Sequence, residues 1–331
     1  MSPRDPLPAA EPGAPFFADV ADAPAGAEAF RLTAADGTRL RAVAWRGGAR
    51  GTAVIFPGRT EFAEKYGRVV RALVERGLAV LVLDWRGQGL SDRHPRNPML
   101  GHVQDFREYQ LDVAALLALE AALDLPGPRY LVAHSMGGCI GLRTLLERSE
   151  FCGAILSAPM WRLQMRAATR ELTSKMTRLA NLTGFGARLM PGTRPGPTAH
   201  AGFAGNALTG DEATFAWCAR QIAAHPELAL GGPSMQWTYA ALEEMTRLHV
   251  APLPRVPTLV MLGGAETVVS SLAIRSQVAQ MAAGELLELP GARHEIFMET
   301  PAVLARAWRG IDRFLETVPA RRGPPDPLAP A

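Results

Sequence analysis

Apolar residues along this chain follow two rhythms. Short uninterrupted runs at Thr52–Phe56, 79–83, 130–133, 154–157, 258–262 and 286–289 have the length and composition of strands buried on both faces. Between and beyond them, apolar positions recur at three and four residues over 63–76, 105–123, 136–148, 271–282 and Pro301–Thr317, which predicts helices with one buried face. Ahead of the first run, 31–33 and 40–45 flank Asp36-Gly37 and read as a hairpin. Alternation of this kind implies the α/β class, a mainly parallel sheet with helices on both faces.

The alternation stops between about Ala158 and Pro254. That stretch is helix-like, rich in Met and Trp, and carries no convincing strand. An insertion of that size between sheet strands is expected to be a helical cap rather than a simple loop. The expected organisation is a Pro/Ala-rich tail over 1–28, the first part of the core over 29–157, the cap over 158–254, the second part of the core over 255–318, and a second tail over 319–331. Both tails are expected to lack order, because their composition offers little apolar surface to bury. No internal repeat and no Gly-rich phosphate loop is present in the sequence.

Composition narrows the function. The net charge of +3 comes from scattered arginines, and Lys65 and Lys175 are the only lysines. Without a dense basic block and interleaved aromatics, nucleic-acid binding is not expected. The cysteines Cys139, Cys152 and Cys218 show no C-x-x-C spacing, so neither a disulfide framework nor a zinc site is encoded. The first thirty residues lack a basic start followed by an apolar run, and no apolar run approaches the length of a membrane span. A cytoplasmic protein of a reducing compartment is expected.

Candidate chemistry concentrates at Ala133-His134-Ser135-Met136-Gly137-Gly138, where a predicted strand meets a predicted helix. Small residues around a serine at such a junction fit a nucleophile elbow, with Ala133 in the first glycine position. A serine that only caps the helix is the plainer alternative. A hydroxyl needs a base, and in this fold the order along the chain is nucleophile, acid, histidine. Of seven histidines, His94, His102 and His134 precede or adjoin the serine, and His200, His225 and His249 lie in the insertion. His294 follows the last predicted strand on a Gly-containing loop. The acid belongs on the turn after the preceding strand, where Gly263-Gly264-Ala265-Glu266 offers Glu266; the alternative position, Ser157-Ala158-Pro159, holds no carboxylate. The expected triad is Ser135, Glu266 and His294. Backbone N–H groups of Met136 and Arg59 are the expected oxyanion hole, since Pro57 has no N–H and Gly58 serves the turn. This chemistry requires no cofactor and no metal.

These motifs resemble the lysophospholipase and monoacylglycerol-lipase branch of the α/β-hydrolases over roughly residues 30–318. The resemblance rests on Pro57-Gly58-Arg59-Thr60-Glu61 with Lys65-Tyr66, Asp84-Trp85-Arg86-Gly87-Gln88-Gly89-Leu90-Ser91-Asp92, the serine elbow, Gly263–Glu266 and Arg293-His294-Glu295. Within the insertion, Asn206-Ala207-Leu208-Thr209-Gly210-Asp211 and Gly232-Pro233-Ser234-Met235-Gln236-Trp237 are similar to bacterial lysophospholipases. Ala133, Pro57 and Glu266 depart from the residues commoner in the family. The resemblance implies an α/β-hydrolase core and a small lipid ester as substrate, lysophospholipid first and monoacylglycerol next, with a general carboxylesterase as an alternative.

Other features carry plainer readings. The Asp84–Ser91 turn is expected to be structural, closed by Asp84, Arg86 and Ser91. Thr209 to Glu212 fits a helix capping box, and Cys139 a small buried residue. Over 161–179, Trp161, Met165, Ala168, Leu172, Met176 and Leu179 cluster on one face of a predicted helix, opposite Arg162, Arg166, Arg170, Ser174 and Arg178. A cap helix packed on the core accounts for this; the sharper expectation is that Trp161, Met165, Leu172 and Met176 line an acyl tunnel while the arginines meet an anionic membrane surface. Two other function classes remain at this point: a peptidase using Glu243-Glu244 to hold an α-amino group, and a non-hydrolytic protein that keeps the pocket.

Overall fold

The computed structural model describes residues 10–197 and 202–318; the expected C-terminal tail over 319–331, the first nine residues of the N-terminal tail and His200 lie outside the described residues. Nine strands form one sheet in the order β1-β2-β3-β5-β4-β6-β7-β8-β9. They are β1 (Glu11–Pro12), β2 (Glu28–Thr33), β3 (Arg39–Trp45), β4 (Thr52–Phe56), β5 (Ala79–Asp84), β6 (Arg129–His134), β7 (Gly153–Ser157), β8 (Thr258–Gly263) and β9 (Gly284–Leu289). The first three and β5 pair antiparallel, and β4 through β9 pair parallel.

Strand residues alternate between two cores. On one face Val54, Phe56, Leu131, Ala133, Leu156 and Val260 pack with α3 (Tyr109–Ala122), α4 (Met136–Glu147) and α8 (Ser271–Val278). On the other, Ala53, Ile55, Val132, Ile155 and Met261 pack with α2 (Gly67–Glu75) and α9 (Pro301–Thr317). Burial of both faces is why these strands read as continuous apolar runs.

The order of the strands places the site. β4 has β5 on one side and β6 on the other, so the chain leaves β4 in one direction and returns on the opposite flank. In open α/β sheets that switch point opens a crevice outside the carboxyl ends of the strands. The loop after β4 and the turn after β6 face each other across it.

Two expectations change. Residues 10–28 are ordered rather than part of a loose tail, carrying β1 and α1 (Ala18–Ala21). Two aromatic anchors hold the segment: Phe16 meets the Trp45 ring edge-on at 5.5 Å, and Phe17 stacks on His225 at 3.7 Å. Trp45 Nε1 donates to Pro24 O, and buried Arg41 donates to Pro15 O. Mean composition conceals two well-placed phenylalanines.

The insertion contains α5 (Ala167–Leu182), α6 (Glu212–Ala224) and α7 (Met235–His249). Its last helix is part of the principal core, where Trp237, Ala241 and Met245 are buried with Phe106 and α4. The second change concerns α5, which begins at Ala167 rather than near Trp161. Residues before it run irregularly, bound to the loop after β8 through Gln164 N–H to Val268 O and Ser270 N–H to Arg162 O. That resets the helical phase. The inward face of α5 is Thr173, Thr177 and Ala180, while Leu172, Leu179 and Leu182 face solvent. Among the described residues no helix is long and apolar enough to cross a membrane.

Candidate active site

Four parallel strands deliver the site at their carboxyl ends. Phe56 leads into Pro57–Arg59, His134 into Ser135, Gly263 into Glu266, and Leu289 into His294. Ser135 has φ 50° and ψ −114°, a left-handed φ that a side chain seldom adopts. The turn is fixed on both sides: Ser135 N–H donates to Ser157 O at 3.0 Å, and Ser135 O accepts from Met160 N–H at 2.8 Å. A Cβ on Gly137 would lie 2.0 Å from Phe56 O, and one on Gly138 would lie 2.6 Å from Pro159 Cβ. Both glycines are steric requirements. Ala133 is fully packed, so its methyl is accommodated where a glycine is commoner.

His294 Nε2 lies 2.8 Å from Ser135 Oγ, and its Nδ1 lies 2.7 Å from Glu266 Oε2. An ionised carboxylate only accepts, so Glu266 fixes the proton on Nδ1 and leaves Nε2 to accept from the serine hydroxyl. The other Glu266 oxygen accepts the N–H groups of Val268 at 2.5 Å and Val269 at 3.2 Å. Burial works against the Glu266 charge. The bond from His294, its charge and the two backbone donors outweigh that and hold the carboxyl below the ordinary glutamate range.

Beyond the three residues, the loops are braced from outside. Arg293 Nη1 donates to Asn206 O and Thr209 O, and Glu295 N–H donates to Leu208 O, so the 206–209 segment of the insertion buttresses the histidine loop. Glu299 Oε1 takes the N–H groups of Gly210 and Arg293, each at 2.8 Å. Thr209 Oγ1 donates to Met298 O, and Asp211, not Thr209, caps α6. The expected capping box is therefore replaced by a tether to the histidine loop.

Behind the loop after β4 lies a buried ionic cluster. Lys65 Nζ reaches Glu61 at 2.9 Å and Glu295 at 2.8 Å, Tyr66 donates to Glu61 at 2.6 Å, and Gly58 N–H also donates to Glu61. Glu61, His134 and Glu295 approach one another as metal ligands do. The Lys65 ammonium between the two carboxylates supplies the positive charge instead. His134 is kept neutral by burial, with its ring 4.8 Å from that of His294. Sequence reasoning missed this cluster; the Lys65-Tyr66 pair was the available signal.

The structure brings Ser135, Glu266 and His294 together. Met136 N–H opens α4, and Arg59 N–H sits on the loop after β4; among the described residues neither donates to a protein acceptor. The tunnel residues are not brought together. Trp161 lies off α5, buried, with Nε1 donating to Gly138 O; Leu172 is 68% exposed; Met165 and Met176 are half-buried. Of the peptidase carboxylates, Glu244 is buried and spent on Arg143, while Glu243 is half-buried, 3.8 Å from Arg247. Asp84 accepts from Arg41, Ala63 N–H and Leu90 N–H, and Ser91 Oγ donates to Asp84 O, so the Asp84–Ser91 turn is a structural clasp.

Residues 47–301 match the family Hydrolase_4, described as "Serine aminopeptidase, S33". Lysophospholipase L2 of Escherichia coli K12 is 34% identical over 278 residues, covering 79% of each chain. Human monoglyceride lipase is 25% identical over 305 residues, covering 89% of this chain and 93% of its own. A soluble variant of monoglyceride lipase from Saccharomyces cerevisiae, solved with a substrate analog, superposes with a TM-score of 0.68 at 21% identity, covering 86% of this chain and 94% of that one.

Proposed function

This chain belongs to the Hydrolase_4 family of α/β-hydrolases, and from that premise we propose that it is a serine carboxylic-ester hydrolase acting on single-chain acyl lipids, lysophospholipid first and monoacylglycerol next. The observation that carries this reading is the geometry at His294, with Ser135 Oγ 2.8 Å from one ring nitrogen and Glu266 2.7 Å from the other.

Ser135 Oγ attacks the ester carbonyl carbon while His294 Nε2 takes its proton. Negative charge develops on the carbonyl oxygen, where the free N–H groups of Met136 and Arg59 receive it; one such donor is worth about 3–4 kcal/mol of barrier. The carbon–oxygen bond to the alcohol breaks as His294 returns the proton to the leaving oxygen. Water then attacks the acyl carbonyl carbon while giving a proton to His294, and the bond to Ser135 Oγ breaks as His294 passes that proton to the serine oxygen, releasing the fatty acid. Glu266 stays ionised and stabilises the imidazolium in both halves.

Substrate class follows from the relatives' names and from the apolar surroundings. A small apolar recess between α6 and the core, lined by Phe62, Leu208, Phe215, Ile222 and Leu230 beside Thr60 and Glu295, supports an apolar contact for the substrate on this side of the site in place of the α5 stripe. The outward face of α5, with Leu172, Leu179 and Leu182 exposed beside Lys175 and Arg178 and with Phe185 exposed just beyond its end, brings a cytoplasmic enzyme to an anionic membrane surface. Against a peptidase reading, the buried carboxylate of the pair, Glu244, is already held by Arg143.

A panel of matched-chain lysophospholipid, monoacylglycerol, short-chain ester and amino-acid arylamide tests the assignment. Fatty-acid release fastest from the lysophospholipid is expected. Turnover of the arylamide alone would establish the peptidase reading instead.

A further inference from the structure

Most of the buried cations in this chain have carboxylate partners. Arg41 binds Glu64 and Asp84, Lys65 binds Glu61 and Glu295, Arg86 binds Asp36 and Asp112, and Arg143 binds Glu244. Arg59 does not. Its Nη2 donates to Gly231 O at 2.5 Å, while Nε is shut off from solvent with no acceptor. Among the described residues no acid pairs with it. The groups facing it are the Trp237 ring at 5.4 Å, the Tyr109 hydroxyl and Gly101, where even a Cβ would stand 3.0 Å from Nη2. Burial pushes the guanidinium down to about 10, which leaves it cationic at neutral pH.

A second arginine, on the loop after β5, reaches the same stretch of the cap. Arg93 is held by the carbonyls of Gly89, Pro98, Glu227 and Ala229, again with no carboxylate bridge. Two guanidinium groups thus converge on the backbone carbonyls of residues 227–231, and among the described residues neither makes a salt bridge to a carboxylate. An unpaired buried charge is costly, and donors left without acceptors add to that cost. Proteins keep such a group where a ligand supplies the missing anion.

Arg59 stands beside the reacting centre. Its own N–H is the proposed oxyanion donor, and Gly58 just before it packs against His134, the neighbour of Ser135. We propose that the Arg59 guanidinium binds the phosphodiester of a lysophospholipid head group and so selects phosphate-bearing acyl glycerols over neutral ones. The glycerol link between ester carbonyl and phosphorus is about as long as an extended arginine side chain. A carbonyl held at the Arg59 N–H therefore leaves the phosphate within reach of the same residue's Nη1, the guanidinium nitrogen neither bonded to Gly231 nor shut off from solvent. A forked guanidinium suits that anion better than an ammonium does. This assignment rests on the ester-hydrolase reading above and adds the determinant of head-group choice.

The test compares kcat/KM for 1-acyl-lysophosphatidylcholine and for 1-monoacylglycerol of the same chain, in the wild type, Arg59→Met and Arg59→Lys. The ratio of the two is expected to fall roughly ten- to hundredfold in Arg59→Met, the scale of a lost charge-assisted bond, and less in Arg59→Lys. An unchanged ratio in folded Arg59→Met overturns the proposal. Should that variant fail to fold, the wild type still decides. With a neutral short-chain ester as reporter, an ether-linked alkylphosphocholine is expected to inhibit at least about tenfold more strongly than the alkylglycerol of equal chain. Equal inhibition overturns the proposal, as does inhibition by inorganic phosphate as strong as by the alkylphosphocholine, which would make the site one for free phosphate. A wild type that hydrolyses none of these esters defeats the ester-hydrolase reading itself, and this inference with it.

Discussion

Lys65 Nζ lies 2.8 Å from a carboxylate oxygen of Glu295, joining the region after β4 to the residue next to His294. Through Glu61, the same ammonium reaches the turn that carries the Arg59 N–H. The oxyanion loop and the base are therefore held in register by one buried cation. Lys65→Met leaves two buried carboxylates unpaired and is expected to cost about 3–5 kcal/mol of stability, read as a lower midpoint in urea unfolding. An unchanged midpoint would remove the cluster from the account.

The same cluster sets an acid limb. Burial disfavours the Glu61 charge, but the Lys65 ammonium, with bonds from Lys65 and Tyr66, holds the carboxyl down to about 2. The folded chain keeps Glu61 ionised where the unfolded chain protonates it. Its contribution is complete above pH ~5 and is lost as pH falls from there towards 2. Stability of Glu61→Gln, measured across that range, is expected to fall less steeply with acid than that of the wild type.

Ser135→Ala and His294→Ala are each expected to lower kcat for ester hydrolysis by roughly 10⁴-fold or more, and the double variant by little beyond the worse single one, because the two groups act as a unit. Glu266→Gln is expected to be severe as well, since an amide no longer fixes the histidine tautomer. Steady-state kinetics on folded proteins measure all four.

Arg59→Pro removes the proposed oxyanion donor, and about 10²–10³ in kcat is expected to go with it. Arg59→Ala keeps that N–H and is expected to retain more turnover of a neutral short-chain ester by a comparable factor. Equal losses would move the role from the backbone to the side chain.

Leu172, Leu179 and Leu182 stand outward on α5 with Lys175 among them. Their joint replacement by serine is expected to weaken co-sedimentation with anionic vesicles, and reversal of Lys175 and Arg178 to glutamate is expected to do so at low salt more than at high salt. Wild-type protein that ignores anionic vesicles at low salt would leave α5 a cap helix only.

The parallel strands were legible because both faces are buried, and the Ser135 turn because its glycines have no room for a Cβ. What escaped the sequence was long-range. Lys65 and Glu295 are 230 residues apart, and Arg143 and Glu244 are 101 apart, so no periodicity links them. Local averages failed at residues 10–28, where Phe16 and Phe17 order a Pro-rich segment. They failed again at 158–166, where tethers to the loop after β8 delay the helix and turn its leucines outward.

The central claim is that Ser135 is the nucleophile, activated by His294. Peptide mapping by mass spectrometry after treatment with a fluorophosphonate tests it directly. A single adduct on Ser135 is predicted, lost in Ser135→Ala and strongly slowed in His294→Ala. Folded wild-type protein that stays unlabelled, or an adduct on another residue that persists in Ser135→Ala, would contradict it.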